Sequence, residues 1–110
     1  MNLKIDVVDE SGKSIVHLSG EIDTYTAPDL RTALLPLTKT EGELVEVDLA
    51  KVNYMDSTGL GVFISALKST KENDSSMQLV NIQDSVRRLF RITGLDEVIT
   101  IKDGIRGGSE

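Results

Sequence analysis

Residues 44–67 read LVEVDLAKVNYMDSTGLGVFISAL, and the fold follows from how the first part of this run gives way to the second. Val45, Val47 and Leu49 alternate with Glu46 and Asp48, which predicts a strand over Leu44–Leu49. Leu44 adds apolar character, as a central strand needs. Further on, Leu60, Phe63, Ile64 and Leu67 fall at i, i+3, i+4 and i+7, the spacing of one helix face. Ser57 or its neighbour opens that helix. A strand that hands over to an amphipathic helix is half of a βαβ unit, so the next strand should lie parallel to it.

Outward from this run, the pattern repeats. Leu3, Ile5 and Val7 alternate with Lys4 and Asp6, and Ser14 to Ser19 alternates again after a turn at Ser11-Gly12-Lys13. Val16 and Leu18 share one face of the second strand, and Ile15 and His17 the other. The two strands read as an antiparallel hairpin. Gly20-Glu21-Ile22-Asp23 breaks the alternation. A helix then starts with Thr26 as cap, Pro28 in the first turn and Asp29 completing a variant capping box. Leu30, Ala33, Leu34 and Leu37 form its apolar face, and Pro36 should end or kink it. On the other side, Met77–Ile82 predicts a fourth strand. A third helix starts at Asp84 or Ser85, turns Val86, Leu89 and Phe90 inward, and stops at Gly94. Val98–Ile101 is a short strand or an apolar docking segment. The order β-β-α-β-α-β-α-β predicts an α/β fold: a mixed sheet with an opening antiparallel hairpin and amphipathic helices packed on it.

Composition bounds the function. A chain of 110 residues, 39% hydrophobic and with only two prolines, fits one folded domain. It has no cysteine, which excludes disulfides, thiolate metal sites and thiol nucleophiles. A single histidine leaves little for a His-based metal site or acid–base chemistry. The formal net charge of -6 argues against nucleic acid as a ligand. Residues 1–50 carry ten acids against four bases, and residues 51–110 carry eight of each. The acidic half is a solvated surface or a face for a basic partner. No apolar run approaches the roughly 20 residues of a membrane span, and Met1-Asn2-Leu3-Lys4-Ile5-Asp6 lacks the form of a secretory signal. A cytoplasmic domain with no membrane contact is the expectation.

Chemistry concentrates in Tyr54-Met55-Asp56-Ser57-Thr58-Gly59-Leu60-Gly61. Ligands gather at the carboxyl ends of strands in open α/β sheets. Asp56, Ser57 and Thr58 place three side-chain oxygens there, and Gly59 and Gly61 should leave the first helical turn bare. Ser57 has three readings: a helix cap, a nucleophile, or a hydroxyl phosphorylated by another protein. The nucleophile lacks a base, since His17 lies in a strand and no lysine adjoins Ser57. That weakens the reading as a small hydrolase. No phosphate-binding glycine loop is present. Asp23 is a helix-start acid or a contact residue, and Tyr25 a contact or a packed ring. His17 reads as a half-buried strand residue, and Arg87, Arg88 and Arg91 as a basic helix face, solvated or binding.

Three motifs in order carry a resemblance across nearly the whole chain: Gly20-Glu21-Ile22-Asp23 with Tyr25-Thr26-Ala27-Pro28, then Tyr54 through Val62, then Val86-Arg87-Arg88-Leu89-Phe90 with Thr93-Gly94-Leu95. The sequence resembles the bacterial anti-sigma factor antagonists of the STAS domain family. The resemblance implies a single STAS-like domain over residues 1–102; the polar, glycine-bearing residues 103–110 read as a frayed tail. It implies no catalytic activity and no cofactor or metal. It implies binding to an anti-sigma factor that is also a serine kinase, which frees a sigma factor. Phosphorylation would fall on Ser57, the serine directly after the motif's aspartate, and switch binding off. A PP2C-type phosphatase would restore the protein. Asp23, Tyr25, Asp56, Thr58, Gly59 and Gly61 would belong to the partner surface. Thr58 puts a second hydroxyl beside the acceptor. A STAS subunit of another stress-signalling or transport assembly keeps the fold and changes the partner.

Overall fold

The computed structural model describes residues 2–102. The expected tail at 103–110 lies outside them. Strands β1 (Leu3–Glu10), β2 (Lys13–Ile22), β3 (Leu44–Met55), β4 (Ser76–Val80) and β5 (Thr100–Lys102) form one sheet in chain order. β1 pairs antiparallel with β2, and every later pair is parallel. Three α-helices fill the crossovers: α1 (Ala27–Leu34), α2 (Ser57–Asn73) and α3 (Asp84–Ile92). Right-handed crossovers that always step to the next strand place successive helices on the same face. Phe63 of α2 and Phe90 of α3 meet edge to face there, with ring centroids 5.9 Å apart. Val16, Leu18, Val45, Val47, Leu49, Met77 and Leu79 point into that core. His17, Glu46, Asp48 and Gln78 alternate with them onto the other face.

The antiparallel hairpin, the parallel strands and the helices follow the sequence expectation. The last two strands lie at Ser76–Val80 and Thr100–Lys102 rather than at 77–82 and 98–101, and four further details differ. β2 does not break at Gly20 but runs on to Ile22. Gly20 takes φ +126, and a Cβ there would lie 2.1 Å from the Asn2 carbonyl oxygen. The motif thus marks a close strand approach that only glycine permits. β3 runs six residues past Leu49, and its register with β2 shifts between His17 and Ser19. The irregularity ends the strict alternation without ending the strand. At α1, Thr26 makes no side-chain cap bond, and only its backbone carbonyl meets Asp29, accepting from that amide at 3.1 Å. Its hydroxyl donates to the Glu21 carbonyl at 2.8 Å and accepts from the Asp23 amide at 2.9 Å. Lastly, Ile64 does not face the core; it is 37% exposed, and the smaller Val62 and Ala66 are buried instead. Pro36 behaves as expected: α1 ends at Leu34 and the chain tightens into a 3₁₀ turn over Leu35–Lys39.

Candidate functional site

The ends of β2 and β3 bring the two candidate loops together. Ile22 pairs with Met55, and the Asp56 amide donates to the Ile22 carbonyl at 3.2 Å. Asp23 and Asp56 therefore leave neighbouring strand ends side by side. Each organises its own loop. Asp23 is buried, and its Oδ1 accepts from the amides of Tyr25 at 2.9 Å and Thr26 at 3.0 Å. Asp56 caps α2 in an extended conformation, and its Oδ1 accepts from the Thr58 amide at 2.9 Å. The loops touch where Thr24 Oγ1 and Thr58 Oγ1 lie 3.5 Å apart.

Asp56 rather than Ser57 is thus the helix cap, which removes the capping role from the serine. Ser57 is exposed, and its hydroxyl has no hydrogen-bond partner among the described residues. Thr58 is also exposed, but its hydroxyl is shared with Thr24. The two glycines of the first turn divide. A Cβ on Gly61 would meet nothing within 4 Å. One on Gly59 would lie 2.7 Å from Ile22 Cγ2 and 2.7 Å from Met55 Cγ. Gly59 is buried, so the expectation that both glycines bare the helix start holds for Gly61 alone. Gly59 lets α2 sit down on the sheet instead.

A cleft of about 380 Å³ lies beside Ser57, lined by Glu21, Asp23, Thr24, Tyr25, Tyr54 and Asp56. Three carboxylates and two exposed tyrosines line it, and no cation does. Tyr25 is 82% exposed, which settles it as a surface ring and not a packed one. Glu21 and Tyr54 stand in the sequence motifs but are not named there as contact residues, and Thr24 is outside them. Their signal was adjacency to Asp23 and Asp56, and only the β2–β3 register shows that the two neighbourhoods are one.

His17 is remote from this cleft. Its Nδ1 lies 2.8 Å from Asp48 Oδ2, and it lines a concavity on the uncovered sheet face with Asp6, Asp48 and Lys51. Burial pushes the Asp48 carboxyl up. Hydrogen bonds from the Ala50 amide, Asn81 and His17, together with the His17 charge, outweigh this and hold it below the usual carboxylate value. His17 cannot act as a base for Ser57 from there. Among the described residues no group of three or more acidic or histidine side chains is placed to hold a metal, and no helix is long and apolar enough to cross a membrane.

Known proteins share this architecture. The STAS domain profile matches residues 4–107. The anti-sigma-B factor antagonist of Bacillus subtilis is 43% identical over 108 residues, covering 98% of both chains. The protein of that name from Listeria monocytogenes is 43% identical over 104 residues, covering 94% of this chain and 91% of its own. Among solved structures, an anti-sigma factor antagonist from Mycobacterium paratuberculosis superposes with a TM-score of 0.84 at 27% identity, covering 94% of this chain and 88% of that one. SpoIIAA in its unphosphorylated form shares the fold at a TM-score of 0.71 and 14% identity, covering 98% and 94%. With a family profile and relatives that match it over nearly its full length, the chain belongs to the STAS domain family.

Proposed function

We propose that this chain is an anti-sigma factor antagonist, a binding module and not an enzyme, switched by phosphorylation of Ser57. In its unphosphorylated form it binds an anti-sigma factor that is also a serine kinase, and so releases a sigma factor in the cytoplasm. Relatives named anti-sigma-B factor antagonists at 43% identity support this reading. The observation that carries the switch is the Ser57 hydroxyl: exposed, uncommitted, and at the start of a 17-residue helix beside an acidic cleft.

The chemistry is simple. Ser57 Oγ bonds to the γ-phosphorus of ATP, the bond to the ADP oxygen breaks, and the hydroxyl proton passes to a base of the kinase. Helix-start N–H groups offset part of the new charge. Asp56, Asp23 and Glu21 oppose it. A partner surface that meets this cleft bears basic groups, with Asp23, Tyr25, Asp56, Thr58 and Gly61 in the contact. Gly59 supports it from beneath. A dianion at Ser57 then sits inside an interface built for a neutral hydroxyl. An unpaired buried charge costs several kcal/mol, and about 1.4 kcal/mol is already tenfold in affinity. A PP2C-type phosphatase hydrolyses the ester and returns the binding form.

The test is incubation with the kinase and ATP, followed by intact mass and peptide mapping. One phosphate on Ser57 is expected, with loss of kinase capture in a pull-down. Phosphate mainly on Thr58, or equal capture of both forms, would overturn the reading.

A further inference from the structure

The acidic cleft is only half of the surface around Ser57. The Thr24–Thr58 contact that borders it also opens a second depression, a groove of about 450 Å³ between α1 and α2. Pro28 and Arg31 line the groove on α1, and Gly61 and Ser65 on α2. Its middle is bare because Gly61 carries no side chain and the space beside it is empty. At its far end, Arg31 Nη1 donates to Ser65 Oγ at 3.2 Å.

We infer that this groove is a second anchor of the partner surface, and that Arg31 receives a carboxylate of the bound protein. The inference rests on the reading that the Ser57 surface binds a protein. Its support is independent of the phosphate. Arg31 has no carboxylate partner among the described residues. One of its five N–H donors serves a neutral hydroxyl, and the rest of the fork is open to solvent. Arg31 is one of only four bases in a half-chain with ten acids, and no acid lines the groove beside it. Ser57, Gly61, Ile64 and Lys68 fall at i, i+4, i+7 and i+11, a single exposed stripe along α2. That stripe leads from the acidic end to a second exposed cation, Lys68, and its middle is the exposed Ile64.

The surface is therefore polar along one axis. Glu21, Asp23 and Asp56 mark its negative end. Arg31 marks its positive end at the level of Ser65, about 12 Å along α2 from Ser57, and Lys68 lies about 16 Å along it, given 1.5 Å of rise per helical residue. A partner that matches both ends docks in one direction only, because reversing it sets like charges against each other. Arg31 thus determines specificity and orientation, whereas Ser57 determines occupancy.

The experiment uses the full chain and the anti-sigma-B factor of Bacillus subtilis as probe, with affinity measured by calorimetry at two salt concentrations. Arg31→Glu should weaken binding by roughly tenfold or more and flatten its salt dependence. Arg31→Gln should weaken it by a few-fold, and because Arg31 is exposed both variants should keep the wild-type amide fingerprint. Lys102→Glu, on the far edge strand, changes net charge equally and should stay within about twofold. Equal affinities for Arg31→Glu and Lys102→Glu would overturn the inference, while a lost interaction in Ser57→Asp would leave the broader reading standing. A wild-type chain that fails to bind the probe would overturn both.

Discussion

Two glycines two residues apart on α2 should respond oppositely to the same substitution. Gly59 and Gly61 both lie in the first turns of the helix, so replacing either by Ala gains the same helix propensity, about 0.8–1.0 kcal/mol. At Gly61 nothing opposes the gain, since the new methyl meets no atom within 4 Å. Gly61→Ala should be more stable than wild type by about 1 kcal/mol. At Gly59 the methyl lands 2.7 Å from Ile22 Cγ2 and Met55 Cγ. Met55 is flexible and can yield. Ile22 is fully buried and β-branched, with a stiff χ1, so its strand or the helix must shift. Overpacking of this kind costs about 1–3 kcal/mol, which cancels or exceeds the propensity gain. The propensity term drops out of the comparison, and the two variants should differ by about 1–3 kcal/mol. Urea unfolding at unchanged m-value measures this directly as a difference in midpoint. If Gly59→Ala proves as stable as Gly61→Ala, α2 does not sit on the sheet as described.

Asp56→Ala removes the α2 cap and should lower stability by about 1 kcal/mol, whereas Asp56→Asn should keep most of it; the same urea titration separates them. Asp48 has a depressed folded pKa, so its stabilisation is present above the ordinary carboxylate value near ~3.9 and is lost as pH falls below that through the folded pKa. Asp48→Asn should therefore narrow the stability difference between pH 6 and pH 3 (both about), read from thermal midpoints in matched buffers; an unchanged difference would remove Asp48 from the acid response. Ser57→Ala should bind the anti-sigma factor and resist switching, while Ser57→Asp should bind poorly with a near-native amide spectrum; shifts spread across the whole sheet would mean that the switch refolds the domain.

The strands and helices were legible because each carries its own period. The first half of β3 is read from Val45, Val47 and Leu49, and α2 from Leu60, Phe63 and Leu67. What failed were judgements that depend on a neighbour in space. Ile64 fits the apolar spacing, yet the helix turns Val62 and Ala66 to the core because they fit closer to the sheet. The capping pair at α1 looked like Thr26 and Asp29, but Asp23, three residues upstream, supplies the acceptor oxygen. Gly59 and Gly61 are indistinguishable in sequence, and only the position of Ile22 separates them. The site motif itself was legible as three adjacent oxygens at a strand end. The contact of Arg31 with Ser65 was not, because it spans 34 residues of sequence.

The rigidity of the loops explains why the proposed switch works at the surface. The backbone before Ser57 is tied to β2 through the Asp56 amide and the Ile22 carbonyl. The backbone after it is held by the Asp56 cap and by Gly59 pressed on Ile22 and Met55. The serine side chain alone is free between these restraints. A phosphate added there meets local terms on the order of 1 kcal/mol each, favourable from the helix start and unfavourable from the carboxylates. A domain stable by roughly 5–15 kcal/mol does not unfold under such terms. The charge therefore cannot be relieved by moving the loop, and it stays where a partner must cover it. A looser loop could turn the phosphate out to solvent and let the partner bind regardless. Buried Asp23, the Asp56 cap and buried Gly59 would thus serve the proposed switch by holding the backbone that carries Ser57.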